Sequence, residues 1–181
     1  MTKLLILSDS HGGSDAIARI LKAERENIDA LIFLGDGLRD LELALTKYPR
    51  LRTYAVAGNC DFGALEPYDG LAAFDQVIVF YTHGHMYGVK YDLDTLADAA
   101  AARGAQVALF GHTHIPLAET RGRVFLFNPG SCGRCYTGAA TYGILTLADG
   151  KVVGHEHKEV PKACASMRCA ICPNAAAPTP M

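Results

Sequence analysis

Apolar positions along the chain fall into short continuous runs, each broken by a polar turn. Lys3 to Leu7 is such a run and predicts a strand covered on both faces. Ala30 to Leu34, Thr53 to Ala57, Val77 to Tyr81 and Val107 to Phe110 repeat the pattern and predict four more strands. Helical spacing takes over between them. Ser14 is placed to cap a helix from Asp15 to about Asn27, with Ala16, Ile17, Ile20 and Leu21 on one stripe. Leu38 to Lys47 predicts a second helix, stopped near Pro49. Asp92 to Arg103 predicts an alanine-rich third, closed by Gly104.

The pattern changes after Pro116. Leu117 to Thr120, Arg123 to Phe127, Thr141 to Leu147 and Lys151 to His157 read as strands joined by glycine turns such as RGR and ADGK. The front of the chain therefore predicts βαβ units and the back predicts antiparallel hairpins. Together they predict an α/β fold with two packed sheets. No internal repeat is visible. Residues 1–160 form the expected domain, and 161–181 turn to Ala, Pro and Cys and are expected to be a tail.

Composition narrows the function classes. The length of 181 residues fits one domain with a substantial core. A net charge of −2 implies no bulk attraction to nucleic acid or anionic membrane. No apolar run reaches the roughly 20 residues that span a bilayer. The opening MTKLLILSDSHGG has too short an apolar core for a signal peptide, so a cytoplasmic location is expected. In that reducing setting the six cysteines are not expected to form a disulfide framework.

The chemistry lies in the turn after each front strand. LLIL leads to SDSH, LIFL to GDG, YAVA to GNCD, IVFY to THGH and VALF to GHTH. In open α/β sheets the binding crevice lies beyond the carboxyl ends of the strands, so five loops should converge there. They carry Asp9, His11, Asp36, Asn59, His83, His112 and His114: two carboxylates, one amide oxygen and four imidazoles. That set is too large for one cation and suits two, with a carboxylate bridging them. Two cations roughly 3.5–4 Å apart can hold a hydroxide and clamp the oxygens of an in-line displacement. Nitrogen and oxygen ligands without thiolate favour Mn²⁺, Fe, Zn²⁺ or Ni²⁺ over Ca²⁺ or Mg²⁺. Taken singly, each residue reads as a turn or a hydrogen-bonded side chain. The clustering of five of the seven histidines in these turns argues otherwise. His155 and His157, alternating on a late strand, read as ordinary strand residues.

DSH, GDG, GNCD, THGH and GHTH, in that order over residues 2 to about 157, resemble the calcineurin-like metallophosphoesterases, and in their compact form the small phosphodiesterases of that superfamily. The resemblance implies a four-layer αββα sandwich, with helices outside two mixed β-sheets. It implies one metal held by Asp9, His11, Asp36 and His114. A second would be held by Asp36, Asn59, His83 and His112, with Asp36 bridging. Manganese is the first expectation, with Ni, Fe or Zn as alternatives. The implied reaction is hydrolysis of a small phosphodiester by a hydroxide held between the metals. Asp36, Asn59 and His85 are the residues assigned to catalysis. NPGS, Asn128 to Ser131, resembles a turn of these proteins and is expected to be structural support. Members of the family often self-associate, so a homo-oligomer is a further implication.

The chain departs from the family in two places. Many relatives carry GNH, whose histidine assists the departing oxygen, where this chain has Cys60. A thiol with a pKa of roughly 8.5 substitutes poorly. Cys60 is expected to be a small buried residue, and His85 to act as acid or phosphate contact, with a bland hydrogen bond as its alternative. The other departure is two C-x-x-C pairs, Cys132/Cys135 and Cys169/Cys172, a candidate structural zinc site despite a long gap between them. A phosphomonoesterase or protein phosphatase on the same ligands is the second enzymatic reading. A non-catalytic scaffold like the retromer subunit of this fold is the alternative of another class. The full set of ligand types argues against it.

Overall fold

Leu4 and Ile6 face one side of the first strand, and Leu5 and Leu7 the other, and all four are fully buried. This two-sided burial is what the continuous apolar run requires, and it recurs through the molecule. The computed structural model describes residues 1–133 and 138–163. In chain order it contains β1 (Thr2–Leu7), α1 (Ser14–Glu24), β2 (Ala30–Phe33), α2 (Leu38–Leu45) and β3 (Thr53–Ala55). Next come β4 (Asp69–Phe74), β5 (Val77–Thr82), α3 (Asp94–Ala102) and β6 (Val107–Leu109). The last four elements are β7 (Leu117–Arg121), β8 (Val124–Asn128), β9 (Thr141–Ala148) and β10 (Lys151–Glu159).

Two five-stranded mixed sheets result, in the orders β10-β9-β1-β2-β3 and β4-β5-β6-β8-β7. Between them lie Leu4, Ile6, Ile32, Val79, Val107, Leu109 and Leu145. The outer face of the first sheet is covered by Ile17, Ile20 and Leu21 of α1 and Leu38 and Leu41 of α2. Leu96, Ala97 and Ala100 of α3 cover Phe80, Ala108 and Leu126 of the second. The layers are therefore helix, sheet, sheet, helix, as the resemblance implied.

Some local expectations need correction. Gly13, not Ser14, is the N-cap of α1, no side chain caps it, and the helix ends at Glu24 rather than Asn27. β4 has no counterpart among the expected strands, because DGLAAF offers little β-branched or alternating signal. Among the described residues it is a sheet edge, pairing only with β5. The back of the chain forms the two expected antiparallel hairpins, and they go to different sheets. β7 and β8 pair antiparallel, but β8 also lies parallel to β6, while β9 and β10 join the other sheet beside β1.

Parallel pairing of β1 with β2, β2 with β3, and β5 with β6 aligns their carboxyl ends along one edge. All five motif loops leave from that edge.

Candidate metal centre

The loops are laced together by backbone bonds before any side chain is counted. Asp9 N–H donates to Gly35 O at 3.0 Å, His11 N–H to Asp36 O at 3.1 Å, and Gly111 N–H to His83 O at 3.1 Å. Turning this sharply forces unusual backbone angles. Asp9, His11, Asp36, His112 and His114 all have positive φ, between 44° and 66°. Non-glycine residues rarely adopt this region, and such strain persists where the surroundings over-determine it. Five of the seven candidate ligands share it.

Three ligand groups, each with donor atoms within 4.8 Å of one another, arise among the described residues: Asp9–His11–His114, Asp36–His83–His112 and His11–Asp36–Cys60. In the first, Asp9 Oδ1 lies 3.1 Å from His114 Nε2 and 3.7 Å from His11 Nε2. The two imidazole nitrogens are 3.2 Å apart. In the second, His83 Nε2 lies 3.1 Å from His112 Nδ1 and 3.0 Å from Asn59 Oδ1. Asp36 stands between the groups, its Oδ2 3.8 Å from His11 Nε2 and 3.5 Å from His83 Nε2. Its other oxygen accepts the Cys60 N–H at 2.7 Å.

The proton arrangement shows what this donor set fits. His83 Nδ1 lies 2.7 Å from Leu34 O, which can only accept, so the proton sits on Nδ1 and Nε2 offers a lone pair. That lone pair faces the Asn59 carbonyl oxygen and the Asp36 carboxylate. Three acceptors converging on one point repel unless a cation lies among them. The residues therefore fit a pair of divalent metals. Burial lowers the pKa of His112 to about 4, keeping it in the neutral, ligating form. Burial alone would raise Asp9. Bonding to His11 and His114 outweighs that and holds its carboxyl well below the usual range.

Close packing fixes the carboxylates. Asp9 Oδ2 accepts the Ser8 hydroxyl at 2.5 Å and the His112 N–H at 3.0 Å. A Cβ on Gly58 would collide with Asp36 Oδ1, and one on Gly111 with Ser8 Oγ. Only hydrogen fits at either position.

Two supporting residues, Asp61 and Asp40, carry no role in the sequence reading, whereas NPGS is expected there to be structural support. Asp61 accepts four backbone N–H groups: Asp36 at 2.7 Å, Gly37 at 2.8 Å, Leu38 at 2.9 Å and Gly58 at 2.9 Å. It is the last letter of GNCD, so its position in the motif is the available signal. Asp40 accepts the Ser10 hydroxyl at 2.6 Å and Gly12 N–H at 2.8 Å, and nothing but its place four residues after Asp36 marks it. Within NPGS, Asn128 donates to Gly111 O at 3.0 Å and Ser131 to Asp9 O at 2.7 Å, so this turn braces two loops.

His85 opens a short 3₁₀ turn, His85–Tyr87, with its ring 5.3 Å from that of His83 and 6.2 Å from that of His112. Its Nδ1 is buried without a hydrogen-bond partner among the described residues. Burial lowers its pKa. Cys60 is exposed, not buried as expected. Its N–H is drawn inward by Asp36, which leaves the side chain at the rim. It is also within ligand distance of His11 and Asp36, a thiol that the nitrogen-and-oxygen ligand set omits. Partial desolvation and the Asp36 carboxylate push that thiol up to about 11. His157 is a hydrogen-bonded strand residue, 2.7 Å from Asn128 O and stacked on Phe127.

Of the proposed zinc ligands, Cys135, Cys169 and Cys172 lie outside the described residues. Cys132 is buried in the apolar cluster beneath α1 and α2, where burial pushes its thiol up to about 12. Among the described residues no helix is long and apolar enough to cross a membrane.

Comparison with known proteins places the chain in a family. Residues 2–150 match the model of the calcineurin-like phosphoesterase superfamily domain. The probable metallophosphoesterase YsnB of Bacillus subtilis is 37% identical, over 80% of this chain and 83% of its own. The phosphodiesterase YfcE of Escherichia coli K12 is 32% identical, over 80% and 88%. A crystal structure of a predicted phosphoesterase from Streptococcus pneumoniae superposes with a TM-score of 0.75 at 25% identity, covering 87% of this chain and 89% of that one. With nearly the whole described domain matched, the chain belongs to the calcineurin-like phosphoesterase superfamily.

Proposed function

We propose that the protein is a metal-dependent phosphodiesterase acting on small diesters. Asp9, His11, Asp36 and His114 would hold one divalent cation. Asp36, Asn59, His83 and His112 would hold the other. The observation that carries this is the position of Asp36 Oδ2, within 3.8 Å of an imidazole nitrogen from each group. When bound, two such cations neutralise phosphate oxygens and acidify water. A nitrogen-and-oxygen donor set suits Mn, Ni, Fe and Zn alike, and manganese is put first on the family resemblance alone.

The chain's own residues supply orientation. Asp36 keeps one oxygen on the Cys60 amide, so its remaining oxygen faces both groups. His83 is held in one tautomer by Leu34 O. His85, neutral at neutral pH, contacts a phosphoryl oxygen or the leaving oxygen by donating from its ring. Cys60 means that the GNCD loop itself brings no imidazole to the departing oxygen. Good leaving groups are therefore favoured, and phenol-type esters should outpace alkyl ones. The family kinship of YfcE, named a phosphodiesterase, supports diesters over monoesters. A cytoplasmic setting and self-association of the chain belong to the same proposal.

The test is hydrolysis of bis(p-nitrophenyl) phosphate with Mn²⁺ or Ni²⁺. Turnover that chelation abolishes is expected. A protein inert with every divalent metal would put the non-catalytic scaffold ahead.

A further inference from the structure

His11 and Asp36 form one end of a cleft of about 680 Å³. One wall is the first turn of α2, from Leu38 to Glu42, and the other is the loop from Cys60 to Glu66. The base of that loop is rigid, because the Asp61 carboxylate gathers four amide N–H groups and Ala64 N–H returns to Asp61 O at 3.2 Å. Its outer part nevertheless holds Phe62 at 92% and Leu65 at 99% exposure. A loop pinned at its base and presenting two large apolar side chains to water leaves unburied the surface that folding ordinarily removes. Both side chains line the cleft that begins at the candidate ligands.

Charge along the walls refines the occupant. Asp40 and Asp61 are engaged by hydroxyl and amide donors within the protein. Arg39, Glu42 and Glu66 remain at the rim, one cation against two carboxylates. A second anionic group entering this cleft would meet net negative charge. An uncharged aromatic or apolar group would not.

Resting on the phosphodiesterase proposal, we infer that this cleft is the subsite for one esterifying group of the diester, and that it selects an uncharged aromatic or bulky apolar group. Phe62 and Leu65 are its specificity-determining residues. They close over the face of that group while its phosphoryl end sits at His11 and Asp36.

The experiment compares phosphonates, whose P–C bond is inert, binding to the Mn²⁺-loaded full chain by calorimetry. Wild type should bind phenylphosphonate about tenfold tighter than methylphosphonate, and 4-phosphonobenzoate more weakly than phenylphosphonate. In Phe62→Ser/Leu65→Ser the phenyl preference should fall to near one, with Mn²⁺ content and methylphosphonate affinity unchanged. Equal binding of the two simple phosphonates by wild type would overturn the inference, as would a preference that survives the double substitution. A carboxylate that tightens binding would overturn the choice of an uncharged group. Should the double variant instead pass from a larger to a smaller species on sedimentation at unaltered phosphonate affinities, the two side chains seat a second copy and the subsite is refuted. If the phenyl preference holds while bis(p-nitrophenyl) phosphate is not hydrolysed, the hydrolytic proposal fails alone.

Discussion

The Asp61 carboxylate accepts the backbone N–H of Asp36 at 2.7 Å and, through the same oxygen, that of Gly58 at 2.9 Å. One side chain thereby joins the loop that carries the candidate bridging carboxylate to the loop that carries Asn59. Its second oxygen takes Gly37 and Leu38, the entrance to α2.

Asp61→Asn should expose this dependence. An amide presents N–H to two donors it formerly accepted, and bonds to a charged acceptor contribute more than neutral ones. A stability loss of about 3 kcal/mol is expected from that exchange. Mn²⁺ affinity should fall by at least about tenfold, the scale seen when groups behind a ligand are removed. Thermal melting with and without metal, together with calorimetric titration, checks both. Unchanged metal affinity would separate Asp61 from the site.

Asp36→Asn tests the bridge itself. The variant should lose most bound metal and most activity, because a neutral amide cannot serve two cations as a carboxylate does. Metal analysis beside turnover of bis(p-nitrophenyl) phosphate gives the answer. Full turnover with two metals bound would refute the assignment.

Cys60→Ala should leave hydrolysis of p-nitrophenyl diesters within about threefold of wild type. A thiol pushed up to about 11 holds its proton too firmly to act as an acid near neutrality. His85→Ala should slow unactivated diesters more than activated ones. Equal slowing of both would exclude His85 from assisting the leaving oxygen.

Glu24 anchors α1 to the first sheet, accepting the Tyr142 hydroxyl at 2.7 Å and Lys158 Nζ at 2.9 Å. Burial alone would raise its pKa, but bonding to Lys158 and Tyr142 outweighs that and lowers it below 4.5. Its folded-state pKa is thus below its unfolded one. The stability it contributes is present above the unfolded value and is lost as pH falls through the folded one. Glu24→Gln should therefore lower stability near neutral pH by about 0.5–1 kcal/mol, as for a partly exposed ion pair, and flatten the acid limb of the stability profile. Denaturant titrations at pH 3 to 7 measure this. An acid limb identical to wild type would remove Glu24 from the account.

Much of this was legible in one dimension. A run such as Leu4 to Leu7 can be buried on both faces only inside a layered α/β fold, and a helical stripe such as Ile17, Ile20 and Leu21 can cover only one side of it. Parallel strands joined through helices put their carboxyl ends together, so the motif loops had to meet at one edge. Those inferences depend on local periodicity and chain direction, which the order of residues contains. Which sheet each late hairpin joins depends on contacts more than a hundred residues apart, such as Leu4 with Leu145, and no local period encodes them. The outward Cys60, the edge strand β4 and the fourfold grip of Asp61 are of the same kind. Each is settled by where separate loops come to rest in space, because hydrogen bonds and burial act on distance and not on position along the chain.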